Sequence, residues 1–148
     1  MAWERGYHLH LEPGPGPAPS RPIHDVDRGY VMSPQQQGVR VTSGVELAYR
    51  DAPRDSRQIN TVAAVARETA GLGPPIESVP WMGCRPTLPD SLPMIGPATR
   101  HNGLWFDFGH QHIGLGTSTG SANILADMMD GVAPTIAASA FHPSRFRI

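Results

Sequence analysis

The sequence predicts an α+β fold: an antiparallel sheet with one packed helix, followed by a strand, a glycine-rich turn and a C-terminal helix. Three observations carry this. Apolar and polar residues alternate repeatedly in the first fifty positions, the two-residue period of half-buried strands. Ile59, Val62, Ala63, Ala66 and Ala70 follow the i, i+3, i+4, i+7 spacing of an amphipathic helix. Glycines 109, 114, 116 and 120 separate the aromatic run Leu104 to Phe108 from a helical stretch that ends at Gly131.

In order, Tyr7, Leu9 and Leu11 alternate with His8 and His10, giving a strand over Arg5 to Leu11. Five prolines and two glycines between Glu12 and Pro22 make an irregular connection, because proline donates nothing to a sheet ladder. Arg28 to Ser33 forms a second strand, Pro34 to Gly38 a hairpin turn, and Val39–Thr42 with Val45–Tyr49 a returning strand broken at Ser43-Gly44. The first fifty residues then make an antiparallel meander. Asp55 is placed to N-cap a helix of about sixteen residues, which Gly71, Gly73 and Pro74-Pro75 stop. Ile76 to Cys84 extends as a strand. Arg85 to Pro97 is a proline-rich loop with a short extended piece at Met94-Ile95, and the tail from Ala137 to Ile148 has no strong period.

Composition narrows the function classes. A net charge of −1 gives no electrostatic reason to expect a nucleic-acid partner. The single cysteine, Cys84, rules out an internal disulfide and fits a reducing cytosol. It reads as a small core residue or as a thiol activated by Arg85. No apolar run approaches the roughly 18–20 residues of a membrane span, and Met1 to Arg5 shows no signal-peptide core.

Backbone N–H groups at a glycine-rich helix mouth can converge on a ligand without side chains in the way, where the macrodipole favours partial negative charge, against the plainer reading of a glycine-rich connection that binds nothing. Gly114-Leu-Gly116 followed by Gly120 approaches a dinucleotide fingerprint, but a Rossmann unit needs a parallel strand after the helix and an acidic residue to hold the ribose. Only seventeen residues follow Gly131, none acidic. Arg85, at a strand end among prolines, reads either as a two-pronged guanidinium pre-aimed at a carboxylate or as a plain surface side chain. His8, His10, His110 and His112 raise a four-histidine metal site against the plainer reading of solvated strand histidines.

Residues 81–97 read Trp-Met-Gly-Cys-Arg-Pro-Thr-Leu-Pro-Asp-Ser-Leu-Pro-Met-Ile-Gly-Pro. They are followed by the aromatic strand, Gly109-His110, Gly114, Gly120 and Leu125-Ala126-Asp127. This order closely resembles the C-terminal part of the FAD-dependent D-amino-acid dehydrogenase and amino-acid oxidase family. The Arg5-Gly6-Tyr7 strand, Val31 to Pro34 and the terminal Ser144-Arg145-Phe146 fit the same family in the same order, so the resemblance covers nearly the whole chain. It implies a C-terminal part of a flavoenzyme that oxidises an amino acid, of the D-amino acid type, or a related amine by hydride transfer to FAD. Residues 1–80, with the helix at 55–71, would be part of the substrate-binding domain, and residues 81–148 the C-terminal part of the FAD-binding domain.

The resemblance assigns Arg85 to the substrate carboxylate. It assigns Gly109, His110, Gly114, Leu115, Gly116 and Thr117 to the flavin, with the C-terminal helix facing the ring. No catalytic nucleophile or base is then required of these residues, because the cofactor carries the chemistry. It also implies an incomplete FAD-binding fold, about the last third of an intact enzyme, lacking the N-terminal Rossmann half that holds the ADP moiety. That missing half is the expected partner. A cytoplasmic location is expected, with peripheral membrane attachment of the intact enzyme left open. Two departures stand out: Ser91 replaces the family's usual glycine after Pro89-Asp90, and Gln111-His112 replaces small residues. Two other readings remain open, a non-catalytic module that only binds the missing half or another partner, and a small His-metal-binding β protein.

Overall fold

The computed structural model describes residues 2–146, so the last two positions of the aperiodic tail lie outside it. The chain divides into two compact units, one formed by Arg5–Cys84 and the other by the residues from Arg85 onward together with those before Arg5.

The larger sheet has the strand order β2-β3-β4-β1-β5. Its strands are β1 (Ala2–Leu11), β2 (Ile23–Asp25), β3 (Tyr30–Gln35), β4 (Gly38–Leu47) and β5 (Trp81–Thr87). Helix α1 (Arg57–Ala70) follows β4 in sequence. The meander is confined to β2-β3-β4, which pair antiparallel, while β1 inserts between β4 and β5. Gln35 pairs with Gly38, so the hairpin loop is Gln36-Gln37 and the strands run through Pro34. That proline is tolerated because β2 pairs only with Tyr30 to Met32, and no ladder partner needs a donor at position 34. Gly38 is required by close approach: a Cβ there would stand 2.4 Å from the Leu11 carbonyl oxygen.

Three expectations are corrected here. β4 is continuous across Ser43-Gly44. The N-cap of α1 is Ser56 rather than Asp55, although an Asp55 carboxylate oxygen accepts from the Arg57 N–H at 3.1 Å. The strand expected over Ile76 to Cys84 begins only at Trp81. Before it there is only an isolated bridge between Leu11 and Pro75, and the Glu77 carboxylate takes the place of a strand carbonyl by accepting from the His10 N–H at 2.9 Å.

The core forms where the inward residues of β1, β3 and β4 meet α1: Tyr7, Leu9, Leu11, Met32, Val41, Ile59, Val62, Ala63 and Ala66 are buried together. Each fully buried aliphatic side chain contributes about 1.5–3 kcal/mol. Gly71 closes α1 in the left-handed conformation, φ 61°, with its N–H donating to the Arg67 carbonyl. His10 is not solvated. It is 3 % exposed, its Nδ1 pairs with Glu77, and its Nε2 accepts from Arg40 Nε at 3.1 Å. His8 stacks on Trp81, ring centroids 4.7 Å apart, and burial lowers its pKa.

The second unit pairs β6 (Met94–Pro97) antiparallel with β7 (Trp105–Phe108). Helix α2 (Gly114–Met129) follows, and two short 3-10 helices, Ala138–Phe141 and Pro143–Arg145, give the tail an order its composition did not signal. Ile95, Ile124 and Ala138 form a small core with Leu125, Met128 and Phe141 packed on it. Gly114, Gly116 and Gly120 belong to α2 itself, so the glycine-rich turn ends at Ile113.

Candidate functional site

The first turn of α2 carries no side-chain cap, since its N-cap position is occupied by Ile113. A helix leaves its first four N–H groups without intrahelical partners. Here the Thr117 N–H returns to the Ile113 carbonyl at 3.1 Å, which leaves Gly114, Leu115 and Gly116 offering donors with no acceptor among the described residues. A Cβ at Gly116 or Gly120 would meet nothing within 4 Å, so the glycines keep one face of the helix open rather than relieving a clash. That face borders a cavity of about 550 Å³. Its walls come from the Ser91-Leu92-Pro93 loop, from His110 and Ile113, from α2, and from Ile136 and Phe141 in the tail.

Of the residues assigned from sequence, His110, Gly116 and Thr117 line this cavity, whereas Gly109, Gly114, Leu115 and Arg85 do not. Gly109 is the pivot between β7 and the turn: its φ is +87°, and a Cβ would be 3.0 Å from the Leu88 side chain. Leu115 is 95 % exposed. The Thr117 hydroxyl donates to the Ile113 carbonyl at 3.1 Å and keeps its lone pairs. His110 Nε2 lies 3.3 Å from Asp107 Oδ1, out of line for a hydrogen bond, so this buried nitrogen and the buried Gln111 Nε2 have no hydrogen-bond partner among the described residues. Arg85 lies in β5, half-buried, its side chain without a hydrogen bond or ion pair among the described residues.

Several wall residues escaped the sequence reading. Asn123 stands at i+7 from Gly116 and i+3 from Gly120, and extending the glycine face along the helix would have found it. Ile136 and Phe141 had no periodic signal. The loop wall is held by Arg145, whose Nε donates to Asp90 Oδ2 at 2.6 Å and keeps that carboxyl below the usual range. Among the described residues, the two non-glycine residues in the left-handed region, Ser91 at φ 60° and Gln111 at φ 52°, are departures from the expected glycine or small residue.

The arrangement tests the fit of a flat, carbonyl-bearing cofactor. Free helix N–H groups, the His110 ring nitrogen and a largely apolar cavity suit a ring that accepts hydrogen bonds at one edge. Among the described residues no strand follows α2. None groups three or more His, Cys, Asp or Glu side chains as a metal site would, and no helix is long and apolar enough to cross a membrane.

Comparison with known proteins agrees with this chemistry. The chain is 35 % identical to the D-amino acid dehydrogenase of Chromohalobacter salexigens over 144 residues, 96 % of the chain and 34 % of that protein. It is 31 % identical to the D-amino-acid oxidase of Bradyrhizobium diazoefficiens, over 97 % of the chain and 35 % of the relative. The chain therefore spans about a third of the length of these curated relatives. Glycine oxidase from Geobacillus kaustophilus shares the fold, with a TM-score of 0.71 at 18 % identity, covering 97 % of this chain and 39 % of that one. L-amino acid deaminase from Proteus vulgaris does so with a TM-score of 0.70 at 21 % identity, covering 98 % and 36 %. The sequence pattern of the FAD dependent oxidoreductase family, DAO, matches residues 1–128, and the chain belongs to that family.

Proposed function

We propose that this chain provides the C-terminal part of a flavin-dependent enzyme that oxidises an amino acid, of the D-amino acid type, or a related amine. The observation that carries the reading is the uncapped first turn of α2 beside the apolar cavity. The N–H groups of Gly114, Leu115 and Gly116 would hold the ring edge of FAD by donating to a carbonyl, with the helix dipole favouring negative charge there by about 0.3–1 kcal/mol. FAD, when bound, supplies the hydride acceptor. The chain's own residues then bind, orient and exclude water. Thr117 and His110 border the ring, and Arg85 would grip the substrate carboxylate in a shielded, two-pronged pair.

The nucleotide-binding half would come from residues outside this chain, as the length of the relatives suggests. The test is to co-express the chain with the first two-thirds of the Chromohalobacter salexigens dehydrogenase. Absorbance in the flavin bands and dye reduction by a panel of D- and L-amino acids are then recorded. Flavin retention with amino-acid-dependent reduction is expected. Retention without reduction by any amino acid or amine would favour the second reading, a binding module without catalysis.

A further inference from the structure

Arg145 spends every nitrogen of its guanidinium on backbone or carboxylate acceptors from both sides of the cavity. Nη2 donates to the Leu92 carbonyl at 2.9 Å, and Nη1 donates to the Phe141 carbonyl at 2.7 Å. Nε donates to Asp90 at 2.6 Å. Leu92 and Phe141 both line the cavity, one from the loop and one from the tail. The arginine itself is fixed, with its N–H donating to the His142 carbonyl at 3.1 Å and its guanidinium carbon 4.5 Å from the centre of the Phe146 ring. Its side chain is 14 % exposed, with the bond to Phe141 partly buried and those to Asp90 and Leu92 at the surface. The loop it grips contains Ser91, held in the left-handed conformation that a non-glycine residue leaves when unrestrained.

We propose that Arg145 is a positioning residue that fixes the width of this cavity by tying its two walls together through the backbone of Leu92 and Phe141. The proposal rests on the functional reading above. A planar fork is needed: three acceptors on two segments match a guanidinium, whereas a lysine ammonium would satisfy them only in part.

The test uses Arg145→Lys, Arg145→Gln and, as a variant that leaves the tail's arginine in place, Asp90→Asn. In the co-expressed assembly KM for the amino acid is expected to rise at least fivefold in both arginine variants with kcat within twofold, and bulkier substrates to gain relative to small ones. In the chain alone, amide hydrogen exchange at residues 88–93 is expected to quicken at least tenfold in all three variants, while residues 57–70 stay unchanged. Unchanged exchange at 88–93 overturns the tie between the walls. Quickened exchange with unaltered KM and unaltered substrate preference overturns its effect on the cavity. If the unsubstituted assembly oxidises nothing, the functional reading fails by itself, and the exchange measurement still upholds or overturns the tie.

Discussion

Ser91 shows what a single residue reveals. With φ at 60° and its N–H donating to the Leu88 carbonyl, it closes a turn that glycine would close without steric cost. Its hydroxyl forms no hydrogen bond among the described residues, so Ser91→Gly should stabilise the unit by about 0.5–1 kcal/mol, the left-handed penalty less the added chain entropy. A denaturant midpoint that falls instead would mean the serine side chain contributes more than the strain removes. The sequence had singled out this position, yet the strain itself was legible only in the backbone. Arg85 is tested differently, in the co-expressed assembly. Arg85→Lys keeps the charge but loses the fork and should weaken amino-acid oxidation. Arg85→Ala should cost more, about 2–5 kcal/mol or upwards of tenfold in kcat/KM, with flavin content unchanged. An amine analogue lacking the carboxylate should be spared, and equal losses on both substrates would remove Arg85 from the carboxylate site.

At the scale of the element, the start of α1 sets a pH dependence. The Asp55 carboxyl is pushed down to about 2 because the Arg57 guanidinium and N–H donate to it. A carboxyl with a depressed folded pKa contributes stability that is present above its ordinary value of 3.8 and is lost as pH falls toward about 2. Arg57 is 90 % exposed at its side chain, so salt should screen the effect. Urea midpoints of the native chain and Asp55→Asn should differ at pH 5 in low salt and converge near pH 2. A constant difference across that range would show that Asp55 acts as a hydrogen-bond acceptor alone. Elements with a strong local period were legible: α1 from its four buried positions, and β7 from its aromatic run. β5 was not, because what delays it to Trp81 is a long-range bond from Glu77 to β1, sixty-seven positions away in sequence. The tail helices were hidden for a similar reason, since Arg145 and its partners at Asp90 and Leu92 lie far apart in sequence.

At the scale of the whole molecule, the motif order carried the family while the cavity walls depended on contacts that no motif contains. Gly116 and Thr117 were readable as part of a glycine-rich helix mouth. Phe141 and Leu92 were not, because only tertiary packing brings the loop and tail to that mouth. This division of labour predicts how the chain treats FAD when alone. A dinucleotide is held largely through its pyrophosphate and adenosine, which family-type sites seat on a βαβ unit. In the proposed reading, one uncapped helix turn and an open-sided cavity would meet the ring. A helix terminus contributes about 0.3–1 kcal/mol, far short of the roughly 8 kcal/mol that micromolar binding requires. The purified chain should therefore carry no stoichiometric flavin, and equilibrium dialysis should give a dissociation constant weaker than about 0.1 mM, where binding amounts to about 5.5 kcal/mol. Adding the nucleotide-binding half of a relative should tighten it by orders of magnitude, because the two sets of contacts then act on one ligand at high effective concentration. A chain that emerges yellow with one flavin bound would mean that its own residues hold the adenosine end, and the site would have to be sought beyond the mouth of α2.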